Sequence, residues 1–143
     1  MKFHLFIILF FFVLTSCTPK SHQAILILPT KKISLELALT PSEQAQGLSD
    51  RSNLPENQGM LFIFPQEKEL TFWMKGMYFP LDMIWLNKNN EVVDVSLNQQ
   101  PCGPNVACPI IMPKVPAKSV IEVNAGVVEK YGIKIGQRLS VIF

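Results

Sequence analysis

Leu81-Asp-Met-Ile-Trp-Leu86, Asn87-Lys-Asn-Asn90 and Glu91-Val-Val-Asp-Val-Ser-Leu97 are the stretch that decides the fold. The first segment is apolar at every position but Asp82, the pattern of a strand buried on both faces. The four residues after it supply turn chemistry, and the third segment alternates apolar and polar side chains as a half-buried strand does. The two strands predict a hairpin, and the chain around them repeats the theme. Ala24 to Leu28, the alternating run Ile33 to Leu39, Met60 to Phe64, Leu70 to Met74, Val120 to Val123 and Arg138 to Ile142 all read as strands.

Helices are confined to connections. Thr40-Pro41-Ser42-Glu43 combines an N-cap threonine, proline at the first helical position and glutamate three residues after the cap, and Gly47 stops that helix about two turns on. A second short helix is expected over Ala125 to Tyr131, with Asn124 as its N-cap and Gly132 as its stop. With seven or so strands and two short helices, the expected architecture is all-β, a single-domain β-sandwich or partly closed, distorted barrel with helical crossovers.

Asn98 to Lys118 breaks the pattern, because it carries five prolines, Cys102 and Cys108 and few periodic apolar residues. It is expected to be a long ordered loop, and such loops in compact domains are often functional. Two cysteines closing a short Pro- and Gly-rich loop are most simply a disulfide in an oxidising compartment. The alternative, a redox-active or metal-binding pair, lacks the Cys-x-x-Cys spacing and a nearby histidine.

The N-terminus supplies the compartment. Lys2, the apolar run Leu5 to Leu14 and Leu14-Thr-Ser-Cys17 resemble a bacterial lipoprotein signal cut before an acylated cysteine. The run is shorter than the roughly 20 residues a membrane-spanning helix needs. Residues 1–16 are therefore expected to be an address, Cys17 the lipidation site, 17–23 a tether and 24–143 the folded domain. An uncleaved anchor helix is the alternative. The protein is expected in the cell envelope, held to the membrane by its N-terminal lipid and facing the periplasm or exterior. Thr18 after the cysteine favours the outer membrane where there are two. Removing Lys2 with the signal leaves 12 basic against 11 acidic side chains, a balance with no electrostatic footprint for nucleic acid.

The chemistry the residues permit is narrow. The two histidines, His4 and His22, precede the domain, so neither a Ser-His-Asp triad nor a histidine-based metal site is expected. No phosphate loop or dinucleotide fingerprint is present, and no metal or cofactor is expected. Asp82 stands out because an ionised side chain inside an apolar strand is costly unless paired. It is either a ligand-contacting or acid/base group, or a structural carboxylate bonded to backbone amides or to Arg51. Phe72-Trp-Met-Lys-Gly-Met-Tyr78 concentrates aromatic and thioether groups. Trp73 beside Lys75 can stack on a sugar or anchor a protein partner, or the segment can be ordinary β-core. Met74 and Met77 admit a copper(I) reading as soft ligands, against a role as core filler.

Six features occur in order: Gln46-Gly47-Leu48-Ser-Asp-Arg51, Gly59-Met-Leu-Phe-Ile-Phe64, Phe72-Trp-Met-Lys75, Pro80-Leu-Asp82, the Cys102/Cys108 loop and Glu122-Val-Asn-Ala-Gly126. Together they resemble the bacterial and archaeal family known as domain of unknown function 192, over about Lys32 to Val141. The resemblance implies a compact β-sandwich or barrel of the jelly-roll kind, usually exported or membrane-anchored, and brings no catalytic residue with it. The chain departs from the commonest pattern at Ser49 and at Gly76-Met77. The leading expectation is a non-enzymatic envelope module that binds a partner protein or glycan, with Arg51, Trp73, Lys75, Tyr78 and Asp82 as candidate contacts. The second is a carboxylate enzyme acting on envelope polysaccharide or peptidoglycan through Asp82 and a facing acid.

Overall fold

The computed structural model of the protein describes residues 23–103 and 106–143. The segment expected to be an export signal, Cys17 and both histidines lie outside the described residues. Strands β1 (Gln23–Ile27) and β2 (Lys32–Ala38) form an antiparallel pair. Helix α1 (Pro41–Gln46) then carries the chain over to β3 (Gln58–Lys68), which lies parallel to β2. Strands β4 (Leu81–Leu86) and β5 (Val92–Gln99) make the expected hairpin. Strand β6 (Ala117–Asn124) inserts antiparallel between β3 and β4. After the short helix α2 (Val127–Lys130), β7 (Ser140–Ile142) pairs with β1. The order β5-β4-β6-β3-β2-β1-β7 is one sheet curled into a half-barrel, the expected all-β class.

The helix start read from Thr40 is present in full. The Thr40 hydroxyl accepts from the Glu43 amide, the Glu43 carboxylate accepts from the Thr40 amide, and Gly47 ends the helix at φ +50°. Two local expectations are corrected. Leu70 to Met74 is not a strand: it is a covering segment that touches a partner at one bridge, Phe72 with Ile111, while burying Leu70 and Met74 against the sheet. Asn124 does not cap α2; its amide reaches the Leu54 carbonyl at 2.9 Å, and Gly126 occupies the cap in the left-handed region.

Both faces of the sheet are covered. One face holds Leu35, Leu61, Ile84, Ile121 and Val123 under α2. The other holds Met60, Phe62, Met83, Trp85 and Val120 under the α1 connection and the 70–80 segment. That double cover is why all six residues of β4 are buried. Each large apolar side chain so enclosed contributes roughly 1.5–3 kcal/mol. Gly59 marks the tightest approach: a Cβ there would lie 2.6 Å from the Glu122 carbonyl oxygen and 2.9 Å from the Leu35 side chain.

Candidate functional site

Strand register carries a row of side chains across the second face. Glu36 of β2, Met60 of β3, Glu122 of β6, Met83 of β4 and Ser96 of β5 stand opposite one another in turn. The next row along contains Phe62, Val120 and Trp85. Phe72, from the covering segment, packs edge-on against Phe62 at 5.0 Å and against Trp85 at 5.3 Å between ring centroids. Phe62 and Phe72, with Phe64, Leu48 and Met77, wall a cleft of about 220 Å³ between the sheet and the α1 turn, and Trp85 backs them from within the core. Gln46, Ser49 and Thr71 add polar groups to it, and Trp73, half exposed, forms one wall.

Glu122 lines this cleft and is the one ionisable residue among the described residues that does so. It is 95% buried and flanked along its row by Met60 and Met83, and its carboxyl, which makes no hydrogen bond to a described residue, opens on the cleft instead of being sealed in the core. Burial without compensation penalises the charged form and pushes its pKa up to about 8. At neutral pH the cleft therefore presents a mostly protonated acid among aromatic rings. Sequence reading passed over Glu122 except as part of a motif. The signal was nonetheless present, since Val120-Ile-Glu-Val123 sets a lone acid in an apolar strand just as Leu81-Asp-Met83 does.

The acid that reading did single out has another role. Asp82 points to the opposite face of the sheet, where it is 1% exposed. Its Oδ1 accepts from the Asn98 amide at 2.9 Å and its Oδ2 from the Val128 amide at 3.0 Å. Asp82 is thus spent on two backbone amides, the second of them in the first turn of α2, and does not line the cleft. Of the two structural partners expected for it, the amides are present and Arg51 is not. Arg51 instead forms a two-point bridge to Glu36, at 2.6 and 2.8 Å, and those hydrogen bonds hold the Glu36 carboxyl below its ordinary range.

Of the other expected contacts, Trp73 lines the cleft, whereas Lys75 and Tyr78 are exposed beside it. Met74 is buried in the core and Met77 faces the cleft. The cysteines are joined as a disulfide, and the Cys102 amide donates to the Met74 carbonyl at 3.2 Å. Together with the backbone bonds between Phe72 and Ile111, this ties Cys102 and Ile111 of the loop to the segment that bears Trp73. Opposite, the Ser49 hydroxyl donates to the Lys75 carbonyl at 3.0 Å and the Asp50 amide to the Gly76 carbonyl at 2.8 Å. Ser49 and Gly76, both departures from the pattern the chain resembles, are therefore in contact: a Cβ on Gly76 would lie 3.3 Å from that of Ser49.

Comparison with known proteins places this architecture. A structure from Sinorhizobium meliloti 1021, provisionally described as a transcription regulator, is 32% identical, covering 83% of this chain and 92% of that one with a TM-score of 0.73. A protein of unknown function from Novosphingobium aromaticivorans DSM 12444 is 28% identical over 85% of this chain and 84% of its own, with a TM-score of 0.70. UPF0127 protein PF1050 of Pyrococcus furiosus is 29% identical over 83 residues, 57% of this chain; the match spans 66% of that relative's length, just under two thirds. Residues 25–141, nearly the whole of the sheet described above, match the family DUF192, described as uncharacterized ACR, and the chain belongs to that family.

Proposed function

We propose that the protein is a lipid-anchored module of the cell envelope that binds a group presented by a partner protein or glycan, without transforming it. The observation that carries this reading is the cleft under Trp73, which is open to solvent, walled by aromatic rings and floored by a buried acid that makes no hydrogen bond to a described residue. Largely preformed apolar clefts with a few placed polar groups are the usual form of ligand sites. The enzyme reading loses support from the same geometry. A two-carboxylate glycosidase needs facing acids ~5–9.5 Å apart, whereas Glu122 has no second acid in its cleft and Asp82 lies on the other face of the sheet. The regulator description of the Sinorhizobium neighbour finds no electrostatic support here, with a formal charge of +2 over 143 residues.

Trp73→Ala tests the binding reading. With 53% of its surface exposed, the indole contributes little to the core. The variant should keep its stability to within about 0.5 kcal/mol. Its binding to isolated envelope fractions in a pull-down should fall at least about tenfold, as for an aromatic contact residue worth ~1.4 kcal/mol or more. A variant that folds and retains every interaction of the wild type would remove the case for this cleft.

The anchor is tested separately. Cys17→Ser should accumulate as an unprocessed precursor, while the wild type partitions into the detergent phase with residues 1–16 removed. Wild-type protein recovered in the cytoplasm with those residues attached would overturn the envelope placement.

A further inference from the structure

We infer that the Glu122 cleft is a receptor for an organic ammonium group, held between the carboxylate and the surrounding aromatic rings. The inference deepens the binding role proposed above and rests on it. Four observations point to a cation. Among the described residues Glu122 is the only ionisable side chain in the lining, so none of them brings a positive charge to answer it. Its carboxyl, although 95% buried, makes no hydrogen bond within the described protein. The walls are Phe62, Phe64, Phe72 and Trp73, and aromatic rings attract organic cations through their negative faces. The same cluster already attracts an ammonium from outside: exposed Lys68 places its Nζ 5.0 Å from the centroid of Phe64.

Exposed Lys68 and Lys75 stand outside the lining, and three other charged groups near the row are committed elsewhere. Arg51 and Glu36, at the β2 end of the same row, satisfy each other. Glu43 on α1 is held by the Leu39 and Thr40 amides. On the neighbouring strands the side chains facing Glu122 are Met60 and Met83, and neither titrates. A cleft of about 220 Å³ has room for a small alkylammonium and not for a folded partner, so a larger ligand would enter by its ammonium group alone.

Binding of this kind moves a proton. The free acid is mostly protonated at neutral pH. A fixed cation that contacts the carboxylate must displace the carboxyl proton to solvent, and no bond to carbon is made or broken. Affinity therefore rises with pH until Glu122 is ionised in the free protein and levels off above about pH 8.

The experiment is calorimetric titration of the full-length lipidated protein in detergent with choline, with n-butylammonium, and with 3,3-dimethylbutan-1-ol, the uncharged isostere of choline. Both ammonium ions should bind, and the alcohol should bind at least tenfold more weakly. Choline affinity should rise by one to two orders of magnitude between pH 6 and pH 9, because the fraction of Glu122 ready to pair rises by about that much. Near pH 7, heats measured in buffers of different ionisation enthalpy should report close to one proton released per choline bound. Glu122→Gln should abolish both the affinity and the proton release while remaining folded. Equal binding of choline and the alcohol, insensitive to pH and to Glu122→Gln, would overturn the cation assignment and leave the cleft a general apolar site. No binding of either ammonium ion, with Trp73→Ala still disrupting capture of envelope material, would overturn it and leave the broader proposal standing. An intact interaction in Trp73→Ala would instead remove the broader proposal.

Discussion

Raising the pH from about 4.5 to 8 should cost the wild-type domain on the order of 4 kcal/mol of stability through Glu122 alone, and Glu122→Gln should abolish that loss. The sign follows from the two protonation equilibria. In the unfolded chain the carboxyl titrates near its ordinary value of 4.5, whereas in the folded protein burial holds it protonated up to about 8. Below 4.5 both states carry the proton and Glu122 has no effect. Between 4.5 and 8 the unfolded state ionises and gains solvation that the folded state forgoes, so unfolding becomes easier with each step in pH. Above 8 both are ionised and the penalty is constant. Each unit of pKa difference corresponds to about 1.4 kcal/mol, and a domain of this size has only some 5–15 kcal/mol in hand. The Glu36–Arg51 bridge acts in the opposite direction, because a lowered carboxylate pKa gives stability that is lost as pH falls through it. With more than a third of each side chain exposed, that bridge is screened and contributes little. Urea denaturation of wild type and Glu122→Gln across this pH range is the check. Two curves that run parallel from pH 4.5 to 8 would show that Glu122 is not held neutral by burial. Retention of so costly a residue in the fold is what a binding role would require, since a methionine or leucine at this position would serve packing better.

What could be read from the sequence follows the range of the interactions involved. Thr40, Pro41, Glu43 and Gly47 act on one another within a turn or two, so α1 and both of its ends were legible. The β4–β5 hairpin was equally so, because Asn87 to Asn90 joins strands adjacent in the chain. The seating of β6 between β3 and β4 is not local, and it alone decides that Glu122 faces the cleft while Asp82 faces α2. In sequence the two acids look the same. The 70–74 segment misled for a related reason: a loop that must cover a sheet face needs apolar residues at spaced intervals, and over five residues that spacing imitates a strand. Asn124 had the right identity for a cap, yet its amide is claimed by a carbonyl 70 residues earlier, and the amide of Val128 finds its acceptor in Asp82, 46 residues away. The aromatic cluster at Phe72 and Trp73 was visible as composition, but the wall facing it, Gln46 to Ser49 from the end of α1, was not.

Removing the Asp82 carboxylate should be the most damaging single change in the domain. Asp82→Ala leaves the Asn98 and Val128 amides without their acceptor, and hydrogen bonds to a charged group contribute about 1.5–3 kcal/mol each. The expected loss is therefore roughly 3–6 kcal/mol, enough to unfold a domain of marginal stability. The geometry makes the effect cooperative. Asn98, next to last in β5, has a positive φ of 48°, and Val128 lies in a helix of four residues too short to hold itself. One carboxylate fastens both to β4, a strand buried at all six residues. Asp82→Asn should be milder, because the amide oxygen can serve one N–H while the NH₂ group confronts the other. Alanine, asparagine and wild type should therefore fall in that order of increasing stability in denaturant titrations, with increased amide hydrogen exchange confined in the asparagine variant to the Asn98 turn and α2. If the asparagine variant folds, its cleft should bind as the wild type does, since Asp82 and Glu122 stand on opposite faces of the sheet. A stable Asp82→Ala protein that has lost only its ligand binding or an enzymatic activity would reverse the assignment and return Asp82 to the functional site.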